Sequence, residues 1–251
     1  MIRKSKRYLS AMIIGVMVIS NMLGAISVSA ETSDIKVTAI EKVNTDYEIY
    51  PSPQSVEYEE GSFNFGSDVN VVYEKGIDNY TKSRLEDEIL KAHSISYEVS
   101  DSNQIINGKT NILVGVYGSG EAVDRYAEKY TLLTENLFSK TDSYFLVSDN
   151  NVITVLGKDT DSAFYGLTTL YHIFNQVTDN EIRNFKIEDY ANVVTRGFIE
   201  GYYGNPWSVQ DRADLMTYGG YYKLNAYFYA PKDDPKHRVQ WRSLYTEDEL
   251  K

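Results

Sequence analysis

The chain has 251 residues, 42% of them hydrophobic, with 25 Lys and Arg against 36 Asp and Glu and a formal net charge of −11. Such acidity disfavours nucleic acid and anionic membrane surfaces as partners, because both recruit basic residues. There is no cysteine, so disulfides are excluded and a core of buried side chains must hold the fold.

The N-terminus reads as an address. Arg3, Lys4, Lys6 and Arg7 precede an apolar run from Ala11 to Ile19. Val28-Ser29-Ala30 then places small residues at both positions of a cleavage site. This pattern predicts a secretory signal peptide over 1–30, cut after Ala30, and a secreted, extracellular mature chain. The apolar run is shorter than the ~20 residues that span a bilayer, so no membrane association is expected after cleavage. Cleavage removes four basic residues and no acidic ones, taking the net charge from −11 to about −15. Tyrosine is abundant, with 22 residues. Aromatic rings stack on sugar faces, as in exported carbohydrate-active proteins; a tyrosine-rich β surface accounts for the same count.

Residues 31–45 are polar and unpatterned, a linker. Ile49-Tyr-Pro-Ser-Pro53 is extended, because each proline biases its predecessor away from the helix. Gln54–Tyr58 and Gly61–Phe65 predict a short hairpin, and Val69–Tyr73 a strand. Tyr80–Ala92 fits a helix with Leu85, Ile89 and Leu90 on one face. Ser96–Val99 alternates as a strand does. Asn111–Tyr117 is almost continuously apolar, the mark of a buried interior strand. Glu121–Tyr130 is helical. Ser143–Val147 and Asn151–Leu156 flank Ser148-Asp-Asn150, a hairpin signal. Asp159–Asn175 is the strongest helix, with Asp161 as its cap and Phe164, Leu167, Leu170, Tyr171 and Phe174 at helical spacing. Together these make an α+β domain over 46–180. Its histidines, His93 and His172, lack ligand spacing and read as structural.

Ile182–Tyr190 reads as a short crossing segment, after which the character changes. Val193–Ile199 is a strand, Asp211–Tyr222 a helix, and Leu224–Ala230 a second apolar strand. Pro231-Lys-Asp-Asp-Pro235 is a loop, and Thr246 with Glu249 marks a capped helix start. Alternating β and α units predict a parallel sheet. Two such units cannot bury both its faces, so 190–251 reads as part of something larger, an incomplete gene product or a fragment.

The chemistry concentrates at the first strand end, Thr195-Arg-Gly-Phe-Ile-Glu-Gly-Tyr-Tyr-Gly-Asn-Pro-Trp-Ser208. Gly197, Gly201 and Gly204 permit close approach of backbone to a ligand, and Pro206 and Ser208 punctuate the loop. Glu200, Tyr202, Tyr203 and Trp207 supply a carboxylate and three aromatic rings. A structural β-turn-α connection would need no other explanation.

Arg196-Gly-Phe-Ile-Glu-Gly-Tyr-Tyr-Gly-Asn-Pro-Trp207 is followed by Asp211-Arg212, Lys223-Leu-Asn225, Tyr229-Ala-Pro-Lys-Asp-Asp-Pro235, His237 and Trp241-Arg242. With these spacings the sequence resembles glycoside hydrolase family 84. That family holds bacterial secreted β-N-acetylglucosaminidases, hyaluronidase-like clostridial toxins and animal O-GlcNAcases. Tyr202 places the loop nearer the hyaluronidase-like branch, since O-GlcNAcases usually have Phe there. The preceding domain resembles the small N-terminal domain shared by families 84 and 20. The resemblance implies that 190–251 opens a (β/α)8 TIM barrel, truncated here, with its site at the C-terminal ends of the strands. It implies that the Gly201 backbone and the Lys232 side chain bind sugar hydroxyls. The catalytic Asp pair is expected downstream of Lys251, so this chain holds no catalytic residue. Asp233 and Asp234 are adjacent, point apart in an extended loop, and are assigned with Glu200 to holding the loops. The implied partner is a carbohydrate bearing N-acetylglucosamine, on a glycoprotein, mucin or glycosaminoglycan. The implied reaction is substrate-assisted retention, which needs no metal and no cofactor. Hyaluronidase action and non-catalytic glycan binding are the alternatives.

Overall fold

A computed structural model describes residues 46–100, 104–201, 207–230, 232 and 234–250. The predicted signal peptide, its cleavage site and the linker lie outside the described residues, as do Tyr202, Tyr203, Gly204, Pro206 and Asp233.

The first part is a seven-stranded mixed sheet. Its strands are β1 (Ser55–Asn64), β2 (Asp68–Tyr73), β3 (Ser96–Val99), β4 (Thr110–Val116), β5 (Tyr144–Asp149), β6 (Val152–Gly157) and β7 (Glu181–Asp189). Their spatial order is β1-β7-β5-β6-β4-β2-β3. β3, β2, β4 and β6 run parallel to one another, while β5, β7 and β1 add on antiparallel. Period-two alternation splits the interior strands between two cores. Val69, Val71, Ile112, Val114, Tyr144, Leu146, Ile153 and Val155 face one side. Val72, Leu113, Phe145, Val147, Val152 and Leu156 face the other. On the first side lie α1 (Asn79–Leu85), prolonged by a π-helical turn over Glu86–Lys91, and α3 (Thr160–Phe174). On the second lies α2 (Ala122–Ala127). The predicted α+β segregation is therefore only partial: helices cover both faces, and the sheet is mixed α/β. The parallel half follows from β2-α1-β3, because parallel neighbours need a crossover.

Four local expectations are corrected. The residues 54–65 do not form a hairpin; Ser55–Asn64 is one strand, β1, paired with β7 on both sides of an irregularity. Gly61, at φ +93, makes a bulge between Tyr58 and Ser62 instead of a reversal, and Asn184 Nδ2 donates to Glu60 O across it at 3.0 Å. The β5–β6 reversal is at Asn150-Asn151, both with positive φ, which suits a twisted two-residue hairpin. Asp159, not Asp161, caps α3: its Oδ1 accepts from Ser162 N at 2.8 Å. The segment read as a crossing is β7, which lies between β1 and β5 and carries the sheet to Asp189. Its buried carboxylates concealed it. Glu188 takes the backbone N–H groups of Leu133 and Thr134 at 2.5 and 2.6 Å, which satisfies a charge that a strand interior otherwise rejects.

The second part is β8 (Gly197–Glu200), α4 (Val209–Gly220) and β9 (Ala226–Tyr229). The strands are parallel, with Phe198 opposite Tyr227 and Ile199 opposite Phe228. Ser208 and Asp211 form a reciprocal capping box that starts α4. Thr246 and Glu249 bond in the same reciprocal way further on. The backbones of β8 and β9 come so close that a Cβ on Gly197 would stand 1.7 Å from Ala226 O. Gly197→Ala is therefore expected to separate β9 from β8. Amide hydrogen exchange checks this: the β9 amides should exchange at loop rates while those of β4 and β6 stay protected.

Candidate active site

The two halves meet at the N-terminal ends of β8 and β9. Lys223 sits at φ +59 after α4, 6% exposed. Its Nζ donates to Asp189 Oδ2 at 2.9 Å and to Tyr144 Oη at 2.8 Å. Tyr144 in turn donates to Asp189 Oδ2 at 2.9 Å, so Thr169 Oγ1, 2.6 Å away, is left to donate to Tyr144. Burial pushes the Lys223 ammonium down and Asp189 opposes that shift. Arg196 lies alongside, bonding Asp142 at 2.8 Å and the Lys223 carbonyl at 3.0 Å. A cavity of about 260 Å³ opens there between Tyr144, Tyr165, Tyr190 and these paired charges. Removing one partner of a buried pair leaves an uncompensated charge, which costs about 3–5 kcal/mol. Asp189→Asn is expected to lose that much stability in urea unfolding. Tyr144→Phe, which deletes one shared hydroxyl, should lose less.

The opposite end holds the residues that the sequence singled out. Because β8 and β9 are parallel, with Glu200 opposite Tyr229, Gly201 and Lys232 leave the sheet from the same end. Both are exposed. A Cβ added at Gly201 would meet no described atom within 4 Å, so the space above its backbone is open. Glu200 is not open at all. It is 3% exposed and accepts two parallel bonds from Arg212, Nε to Oε2 and Nη2 to Oε1, each 2.7 Å, with a third from the Tyr227 hydroxyl. Asp234 accepts from Tyr229 Oη at 2.9 Å, Tyr245 Oη at 2.7 Å and the Lys236 N–H at 2.7 Å. So Glu200 and Asp234 do hold loops, as the sequence reading has it. Asp233 is outside the described residues.

The electrostatics agree. The Arg212 bonds hold the Glu200 carboxyl below its ordinary 4.5. The Tyr245 and Tyr229 hydroxyls hold Asp234 down. Burial, then the Asp234 carboxylate, pushes Tyr229 up to about 12. Neither carboxylate is poised as a general acid, which needs a raised value. Arg212, Tyr227, Tyr229 and Tyr245 have no role in the sequence reading. A signal was present for Arg212: it lies in the first turn of a helix capped at Ser208, where it can reach back to the strand end.

Comparison with known proteins identifies the chain. The family model for glycosyl hydrolase family 20, domain 2, matches residues 46–190, more than half of the chain. The chain belongs to that family. A second family model, beta-N-acetylglucosaminidase, matches residues 196–251, which contain both strand-end loops. The solved structure of CpGH84D is similar at 47% identity and TM-score 0.77, over 82% of this chain and 34% of that one. CpGH84B is similar at 29% identity and TM-score 0.65, over 82% of this chain and 33% of that one. Protein O-GlcNAcase of Rattus norvegicus is 47% identical over 53 residues, 21% of this chain and 6% of that protein. The family 20 domain is thus the N-terminal portion of a family 84-like protein. The chain spans about a third of the length of these solved relatives.

A pH prediction follows from Glu200. Its carboxyl is lowered on folding, so the stability it contributes is complete above about pH 4.5 and is lost as pH falls through the lowered value. Glu200→Gln is expected to lower the thermal midpoint at pH 7. Below pH 4.5 the difference from wild type should shrink.

Proposed function

We propose that the protein carrying this chain is a secreted glycoside hydrolase that removes terminal β-linked N-acetylglucosamine from glycoconjugates. The observation that carries the reading is the pair of loops at one sheet end, with an open Gly201 backbone and an exposed Lys232, inside the segment that matches the beta-N-acetylglucosaminidase family. In this reading the Gly201 backbone and the Lys232 ammonium hold sugar hydroxyls, and Lys232 brings up to three donors. β8, α4 and β9 open a TIM barrel. The alternation supports this. Phe198 packs toward Gly219 of α4, whereas Ile199 and Phe228, on the other face, are 74% and 51% exposed. Further strands would cover that face. The Asp pair lies beyond Lys251: one carboxylate orients the 2-acetamido group, whose oxygen attacks the anomeric carbon, and the other protonates the leaving oxygen. The pattern in residues 1–30 supports export.

The test is hydrolysis of an aryl N-acetyl-β-glucosaminide by the full-length protein and by residues 1–251 alone. Turnover is expected only in the full-length protein, and turnover by 1–251 would overturn the downstream placement of the Asp pair. Losing one charge-assisted bond is worth about 1.5–3 kcal/mol. Lys232→Ala should therefore lower kcat/KM by about 10- to 100-fold. The second reading is a glycan-binding protein, favoured by the exposed rings of Tyr50, Tyr117, Tyr218 and Trp241. Binding of N-acetylglucosamine without hydrolysis would select it. Faster cleavage of hyaluronan than of the terminal sugar would instead make the protein a hyaluronidase.

A further inference from the structure

Gly201 and Lys232 stand on separate loops, and a sugar held by both needs those loops in a fixed relation. An unbroken series of contacts runs behind them. Glu200, the neighbour of Gly201, is gripped by both edge nitrogens of Arg212 at 2.7 Å. The Arg212 guanidinium carbon lies 5.1 Å from the centre of the Tyr229 ring. The Tyr229 hydroxyl reaches Asp234 at 2.9 Å and so closes the loop that carries Lys232 onto its own strand. Tyr245 secures Asp234 from the far side at 2.7 Å. The alternation of β8 and β9 sets this series apart from the sugar. Glu200, Tyr227 and Tyr229 share the face that α4 covers, while Gly201 continues the opposite face with Ile199.

We infer that Arg212 is a positioning residue that couples the two loops, so that the Gly201 backbone and the Lys232 ammonium are presented as one preset unit. The inference rests on the sugar-binding reading of those two residues. Arginine suits the task because its planar fork can bond a carboxylate at its edge while its face lies on an aromatic ring. A lysine in its place keeps the charge but offers a point, not a fork, and cannot serve Glu200 and Tyr229 together. Arg212 touches no substrate. It acts by removing the ordering that the loops would otherwise undergo when sugar binds, and such preorganisation is read in affinity.

The experiment is a double-mutant cycle in the full-length protein, with an aryl N-acetyl-β-glucosaminide as substrate and KM, kcat and thermal midpoint as readouts. Arg212→Lys is expected to raise KM about tenfold with kcat within about twofold, and Tyr245→Phe to raise KM about threefold. The double variant should stay near Arg212→Lys alone, because each substitution breaks the same series of contacts. A KM that rises about thirtyfold in the double variant means the loops are held independently, and the coupling is then wrong. Unchanged KM in both single variants overturns it too. So does a fall in kcat and thermal midpoint with KM unmoved, which makes Arg212 a residue of the fold alone. A wild-type protein that neither binds nor cleaves the sugar removes the sugar-binding reading and the coupling with it. An active wild type with additive variants removes only the coupling.

Discussion

The ion pair between Lys223 and Asp189 is the interaction on which the second half of the chain depends. Asp189 ends the last strand of the seven-stranded sheet, and Lys223 stands between α4 and β9. The two side chains and Tyr144 are buried together where the halves join. A buried pair of this kind adds little net stability over apolar contacts. It does tie three elements to one point, because Lys223, Tyr144 and Asp189 each bond the other two. Arg196, bonded to Asp142 and to the Lys223 carbonyl, fixes the same seam from the β8 side. With the N-terminal ends of β8 and β9 anchored, their C-terminal ends and the loops beyond point in a set direction.

The two ends of that small parallel sheet divide the work. At the anchored end the charges are paired and turned toward the sheet domain. At the other end the charges are also paired, but they lie on the helix side, and the opposite side is left to Gly201 and bare apolar residues. The division follows from strand periodicity. One residue's shift in β8 would turn Glu200 outward and Phe198 away from α4.

Much of this was legible in the residues. The continuous apolar run of β4, the pair of strands flanking Ser148-Asp-Asn150 and the helical spacing in α3 correspond directly to observed elements. The motif from Arg196 to Arg242 located both strand-end loops and led to family 84. What stayed hidden has identifiable causes. β7 contains Glu188 and Asp189, and no local pattern reveals that backbone amides 54 and 55 residues away in sequence will satisfy Glu188. β1 looked like a hairpin because Gly61 signals a reversal just as well as a bulge. Tyr229 and Tyr245 drew no role from the sequence because the acceptor they share, Asp234, is only brought to them by the folded loop.

The position of β7 also governs the order of assembly. Among the described residues it is the last strand of the sheet in sequence, yet it sits second in space, the partner of β1 and the second neighbour of β5. As the chain lengthens from its N-terminus, β1 lacks the strand that pairs with it among the described residues, and β5 lacks one of its two neighbours there, until residues 181–189 arrive. Asp189 comes last in that strand. The acceptor that receives Lys223 is therefore put in place by the same event that closes the sheet, and β8, α4 and β9 have a finished domain to dock on.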